Sequence, residues 1–372
     1  MGRMRGRDPE PLSGLTMAVR IRGRKHRSGP SVDLPFSSAL EPEESVRILS
    51  GDAPEVAEPP HTVETVEVEE AIEAGEAPGS PAPSAMSKAF PDHDHTRLAP
   101  LGLQVEEKTA PGEYLPRPLP RIMAVANQKG GVGKTTTAVN LGASLAELGF
   151  RVLVVDLDPQ GNATTGLGID GRTFELSMYD VIMRDAPLED CVEPTSLKNL
   201  FVAPATIDLA GAEIELVPSF SRELKLRKAL ETVAGEFDFI LIDCPPSLGL
   251  ITVNGLAAAD EVLVPIQCEY YALEGLGQLL RNVHLVQANL NEKLEVTTIV
   301  LTMYDGRTKL AEQVADEVKA HFGNKVCRNI IPRTVRISEA PSFGQPITVF
   351  DPSSRGAIAY RELAKEVSGG KA

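Results

Sequence analysis

The 372-residue chain predicts an α/β protein, a doubly wound and mostly parallel sheet with helices on both faces, preceded by an extension outside the fold. Three observations carry that expectation. From about Arg121 onward, short β-branched apolar runs alternate with helical patterns. Runs such as Val152-Leu153-Val154-Val155 and Phe239-Ile240-Leu241-Ile242 are continuously apolar, as strands covered on both faces must be. Residues 1–115, rich in Pro, Glu, Ala and Ser, have too few large apolar side chains to offset the entropy of ordering them.

The extension divides by charge. Residues 1–30 hold eight Arg/Lys against two acids, net +6, and residues 31–112 hold 17 acids against four bases, net −13. With −15 overall, about −8 remains for the rest. Residues 1–115 are therefore expected to be disordered and residues 116–372 to form one domain. The basic start is either a tether to nucleic acid or an anionic surface, or a solvated tail that folds back on the acidic segment. Met17 is an alternative start. The start lacks the apolar core of a secretory signal, and no run approaches the length of a membrane span. Cys191, Cys244, Cys268 and Cys327 stand far apart with no C-x-x-C pair, which suggests neither a zinc site nor a disulfide framework and reads as cytosolic.

Within the domain, strands are expected at Ile122–Ala126, Arg151–Val155, Leu200–Ala203, Phe239–Ile242, Glu261–Ile266, Val296–Thr302 and Lys325–Ile331. Helices are expected at Lys134–Leu148, Ser221–Val233, Leu273–Asn289, Lys309–His321 and Arg355–Val367. No internal repeat is visible, which weighs against a tandem two-site enzyme.

The first expected strand runs into Gln128-Lys129-Gly130-Gly131-Val132-Gly133-Lys134-Thr135-Thr136-Thr137 and then into a helical pattern. That is a phosphate loop: glycines let backbone N–H groups curl around phosphate oxygens, while the lysine and hydroxyl serve the phosphates and Mg²⁺. Gln128 stands where the usual pattern has its first glycine, so the standard pattern is not met, but the strand–loop–helix context is what a phosphate site at a helix N-terminus requires. Lys129 is a second lysine in the loop. Lys134 already serves the phosphates, and another ammonium beside it is repulsive unless two subunits share two nucleotides. Lys129 would then reach the partner's phosphates, as an arginine finger does in trans. Otherwise it is an exposed lysine before a turn.

Two more strand ends carry acids. After Val155 come Asp156-Leu157-Asp158-Pro159-Gln160-Gly161, at the carboxyl edge where open α/β sheets place their ligands. Asp158 is the choice for positioning the attacking water; Asp156 is read chiefly as a cap of the following turn. The run Phe239–Ile242 ends in Asp243, placed to serve Mg²⁺ through a coordinated water. Pro245, Pro246 and Gly249 follow as a stiff yet bendable segment able to report on the γ-phosphate.

These blocks, with Val155–Gly168, Leu241–Leu250 and Gln267–Gly275, resemble the ParA/Soj family of chromosome-partitioning ATPases from about Arg121 to Val367. The resemblance implies a P-loop NTPase of the deviant Walker type, a weak ATPase using ATP and Mg²⁺ that closes into a sandwich homodimer, binds double-stranded DNA without sequence preference, answers to a ParB-type partner, and works on the nucleoid in the cytoplasm. It makes Lys129 the trans lysine, Lys134 the phosphate lysine, Thr135 and Asp243 the metal residues and Asp158 the water-positioning carboxylate. Gly130, Gly131, Val132, Gly133, Thr135 and Thr136 line the nucleotide. It places Gly130 at the dimer contact, Met303 and Pro332 beside the adenine, and Arg307 and Arg336 on DNA. Arg307, Lys309, Lys325, Arg328, Arg333 and Arg336 also gather in the C-terminal third of the sequence.

Two other readings are open. A membrane-bound regulator of the MinD type would need a basic amphipathic C-terminal helix, which Tyr360–Ala372 does not spell. A nucleotide-dependent scaffold would recruit polar or division proteins through the N-terminal tail.

Overall fold

The computed structural model describes residues 117–269 and 272–370. The expected disordered extension, Tyr270 and Tyr271 lie outside those residues.

Seven strands form one sheet: β1 (Arg121–Val125), β2 (Val152–Asp156), β3 (Glu193–Pro194), β4 (Leu200–Ala203), β5 (Phe239–Asp243), β6 (Glu261–Gln267) and β7 (Glu295–Thr302). Their order is β3-β4-β2-β5-β1-β6-β7. Every pairing is parallel except the short edge pairing of β3 with β4. Side chains alternate across the sheet, so each apolar run feeds two cores. Met123, Val125, Val152, Val154, Phe239 and Leu241 pack on one face with the helices Lys134–Glu147 and Arg355–Val367. Ala124, Leu153, Val155, Ile240, Ile242 and Val264 pack on the other, against helices that include Leu250–Ala258, Ala272–Asn289 and Lys309–Phe322.

The parallel order has a consequence for chemistry. β5 lies between β1 and β2, with Val125 and Asp156 both in register with Asp243. The glycine loop and both acidic strand ends therefore leave the sheet side by side at its carboxyl edge, where the strand order reverses. At the opposite edge the buried guanidinium of Arg121 makes a two-pronged pair with Glu261, at 2.7 and 2.8 Å, and Thr297 donates to the same carboxylate.

Two expected elements differ. Lys325–Ile331 runs beside β7, but only Val326 bridges, to Ile299. The Glu366 carboxylate accepts the N–H groups of Arg328 and Asn329, at 2.7 and 3.1 Å, and draws that backbone out of the ladder. The helix expected at Ser221–Val233 is confined to Lys225–Leu230, because Ser221 takes a left-handed φ of 51° and the Leu226 N–H is capped by Asn254. The helix Leu250–Ala258 was not anticipated: it is mostly apolar and nearly all buried, Thr252 and Asn254 included, and carries no amphipathic stripe to read.

Candidate functional site

The loop after β1 is built to surround an anion. Gly131 and Gly133 sit at φ 73° and 90°, a region that side chains rarely adopt, which turns successive N–H groups inward. A Cβ at Gly130 or Gly131 would meet nothing within 4 Å, so the space above the loop is open. The helix Lys134–Glu147 starts on Gly133 with no side-chain cap and no acid in its first turn, leaving its terminal N–H groups to a ligand. Val132 is buried, and its carbonyl accepts the Thr302 hydroxyl at 2.7 Å, which ties the loop to β7.

The two lysines have different surroundings. Lys134 is buried, and its Nζ lies 3.4 Å from the Lys129 carbonyl. Burial lowers its pKa, against the attraction of Asp243, Cys244 and Asp158. Lys129 stays near the surface and turns onto its own chain: its Nζ is 2.9 Å from Glu269 Oε2, while the Gln267 amide holds the other oxygen of Glu269. The Asn127 side chain accepts the Lys129 N–H at 3.0 Å and donates to the Pro265 carbonyl at 2.8 Å. The entrance of the loop is thus fastened to the end of β6 by Asn127 and Glu269, neither of which sequence reasoning singled out. The signal available was weak, a polar residue just past each strand.

The three carboxylates also part company. Asp156 accepts from the Thr164 N–H and hydroxyl, at 2.8 and 2.7 Å, and from the Asp158 N–H at 3.1 Å. It is a buried anchor for the turn after β2, and burial pushes its pKa up to about 6. Asp158 lies past the strand end, accepts only the Gln160 N–H at 3.0 Å, and faces Lys134. Asp243 is fully buried, with neither oxygen hydrogen-bonded. Burial, and then the neighbouring Asp156 charge, raise its pKa well above the usual carboxylate range; the Thr135 hydroxyl faces it without reaching hydrogen-bond geometry. An unpartnered buried carboxylate costs free energy that a bound cation would recover.

Farther along the edge, Met303 holds a left-handed φ of 50°, with its Cε 3.8 Å from where a Gly133 Cβ would stand. Pro332 bridges to Tyr304. A cavity of about 530 Å³ opens beside this bridge, lined by Tyr304, Asp305, Gly306, Arg307, Pro332, Arg333 and Arg355. Arg307 grips Asp305 through two bonds of 2.8 and 2.6 Å, which hold that carboxyl at about 2. Arg336 pairs with Glu339 at 3.1 Å and Asp351 at 3.4 Å, beneath the face of Phe350. The basic cluster suggested by sequence position is therefore divided. Lys325 pairs with Glu295 at the opposite edge of the sheet, and the Arg328 backbone is held by Glu366. Arg355, unremarked in the sequence, joins Arg307 and Arg333 instead.

Comparison with known proteins bears on what this edge does. A family model described as an AAA domain matches residues 120–296. The chain is 59% identical over 248 residues to the sporulation initiation inhibitor protein Soj of Bacillus subtilis, covering 67% of this chain and 98% of that one. It is 54% identical over 249 residues to the chromosome partitioning protein ParA of Caulobacter vibrioides, covering 66% and 93%. A solved structure of cobyrinic acid a,c-diamide synthase from Mycobacterium smegmatis, with bound ATP analog and magnesium, is similar at a TM-score of 0.58 and 43% identity, covering 66% of this chain and 93% of that one. Identity at this level along nearly the whole of the Soj and ParA chains is what common descent produces, and the chain belongs to the ParA/Soj family of chromosome-partitioning ATPases.

Proposed function

We propose that the chain is an ATP-dependent dimerising switch. In the ATP-bound form two copies meet face to face across their glycine loops, and the dimer binds double-stranded DNA of any sequence. A ParB-type partner then stimulates hydrolysis and releases it, which drives partitioning of a chromosome or plasmid. The observation that carries this reading is the buried, unpartnered Asp243 carboxylate facing Thr135 beneath an open glycine loop. It fits Mg²⁺ held by the Thr135 hydroxyl and, through coordinated water, by Asp243. When bound, Mg·ATP supplies the transferable γ-phosphoryl group and a cation that neutralises charge developing on it.

The chain's own residues do the rest. Loop N–H groups from Gly130 to Thr136 and the Lys134 ammonium hold the phosphates, and Asp158 orients the water. Met303 and Pro332 flank the base. Lys129 must leave Glu269 to reach the other subunit's phosphates. That pair is about half exposed and so contributes under about 1 kcal/mol, an obstacle that a charged γ-phosphate outweighs. Gly130, with open space over its Cα, lets the second copy approach.

Lys129→Ala tests this directly. Sedimentation with ATP and Mg²⁺ is expected to show wild-type dimers and variant monomers, with ATP still bound by the monomer; a variant that dimerises like wild type would remove Lys129 from the trans role.

DNA binding is assigned to Arg307 and Arg336, on a surface where Arg333 and Arg355 make no ion pair within 4 Å among the described residues. Arg336→Glu is expected to weaken random duplex binding by at least about tenfold and to lower the salt slope by about one, with ATP-dependent dimerisation retained. Unchanged affinity in a filter-binding titration would move the DNA surface elsewhere. No described helix is long and apolar enough to cross a membrane, and the apolar face of Arg355–Val367 is buried against the sheet, which argues against using it on lipid.

A further inference from the structure

Cys244–Gly249 joins β5 to the helix Leu250–Ala258 and starts directly after the unpartnered Asp243. The start of that helix has no side-chain cap of its own, since Gly249 stands at the N-cap position. A carboxylate from elsewhere in the fold takes that place. Glu213, on the helix Leu209–Glu215, accepts the Leu250 N–H on Oε2 at 2.7 Å and the Ile251 N–H on Oε1 at 3.3 Å. A negative charge on the first N–H groups of a helix is favoured by both its hydrogen bonds and the helix dipole.

The same contact explains Gly249. Its φ of −78° and ψ of −172° are open to any residue, so glycine is not required for its conformation. It leaves room for the contact: a Cβ there would stand 2.2–2.4 Å from three atoms of the Glu213 carboxylate, so a side chain at 249 has to displace it. The backbone that carries Glu213 is held in place, because Leu209, Ala212 and Leu216 of the same stretch are buried in the core.

We propose that Glu213 is a positioning residue for ATP hydrolysis, a clamp that fixes the far end of the segment following Asp243 and so holds that segment in reacting geometry beside the carboxylate. The proposal rests on the ATPase reading of the site. One end of the segment is anchored by β5 within the sheet. The other is anchored by two charge-assisted hydrogen bonds from a residue 37 positions away. Pro245 and Pro246 stiffen the middle, so slack at the Glu213 end displaces the segment as a unit beside the sheet-anchored Asp243 instead of being absorbed within it.

The test is steady-state ATP hydrolysis by the full chain, with melting temperature and fluorescent ATP affinity measured on the same samples. Glu213→Ala is expected to lower kcat about tenfold with KM within about twofold of wild type. Glu213→Gln, which keeps one acceptor, should fall between. Gly249→Ala should reproduce the loss by expelling the carboxylate, and the double variant should be no worse than either single one, since both break one clamp. A cap with only a structural role would lower the melting temperature and leave kcat at the wild-type value; that result, or additive losses in the double variant, would overturn the proposal. No turnover in the wild-type chain would instead overturn the hydrolysis reading, and the clamp with it.

Discussion

Replacing Asp158 with alanine is expected to cut ATP turnover by about 10²–10⁴-fold while leaving ATP binding, dimerisation and DNA binding in place. Asp158 is the one carboxylate of the three placed to act on a water. Asp156 is consumed by its bonds to Thr164, and Asp243 lies fully buried beneath the loop, whereas Asp158, itself largely buried, stands past the strand end near Lys134 with a carboxylate that accepts only the Gln160 N–H. Removing it deletes the group that orients the nucleophile but none that hold phosphates. The variant should therefore accumulate as a DNA-bound dimer with ATP, seen by sedimentation with duplex DNA and by phosphate release. Turnover at the wild-type rate would end the assignment and leave water positioning to backbone groups of the loop.

Asp243→Asn should have two effects of opposite sign. Hydrolysis is expected to fall by about 10–100-fold or more, because the metal loses an anionic support. The nucleotide-free protein should meanwhile become more stable by about 1–3 kcal/mol, a melting shift of several degrees. The sign follows from linkage. The Asp243 pKa is raised in the fold relative to an unfolded chain, so stability is present at low pH and is lost as pH rises through that raised value, above which the ionised group works against the fold. Asparagine removes the charge and keeps the shape. Melting curves at neutral pH without nucleotide, and again with Mg·ATP, check both effects. A variant less stable than wild type without nucleotide would mean that the wild-type carboxylate has a partner or is already neutral.

Much of the fold could be read because its signals are local. The strands β1, β2, β5, β6 and β7 are five to eight residues long and built chiefly from apolar and β-branched residues, and the helices Lys134–Glu147, Lys309–Phe322 and Arg355–Val367 carry periodic stripes. The elements that were misread lack such signals or are overruled from a distance. Lys325–Ile331 has strand composition, and the Cys327 and Ile331 N–H groups still reach β7, yet the Glu366 carboxylate takes those of Arg328 and Asn329 between them. Leu250–Ala258 is mostly apolar and almost wholly buried, its polar Thr252 and Asn254 included, and periodicity says little about a segment buried on nearly every side.

The candidate site divides along the same line. Lys129, Lys134, Thr135, Asp158 and Asp243 stood out because a glycine loop and an acid at a strand end are legible within a few residues. Their neighbours were not. Glu269 lies 140 residues from Lys129, Glu213 lies 37 from Leu250, and Thr302 lies 170 from Val132. Sequence by itself determined the alternating α/β pattern, the loop and its second lysine, and the acids at the strand ends, since each depends on the chemistry and spacing of adjacent residues. Tertiary structure alone decided that β5 sits between β1 and β2, which acid is anchored and which is left without a partner, and which arginines share a cavity. Those outcomes depend on which strands are neighbours and on who can supply a hydrogen bond across the fold, and both are set by packing the whole sheet.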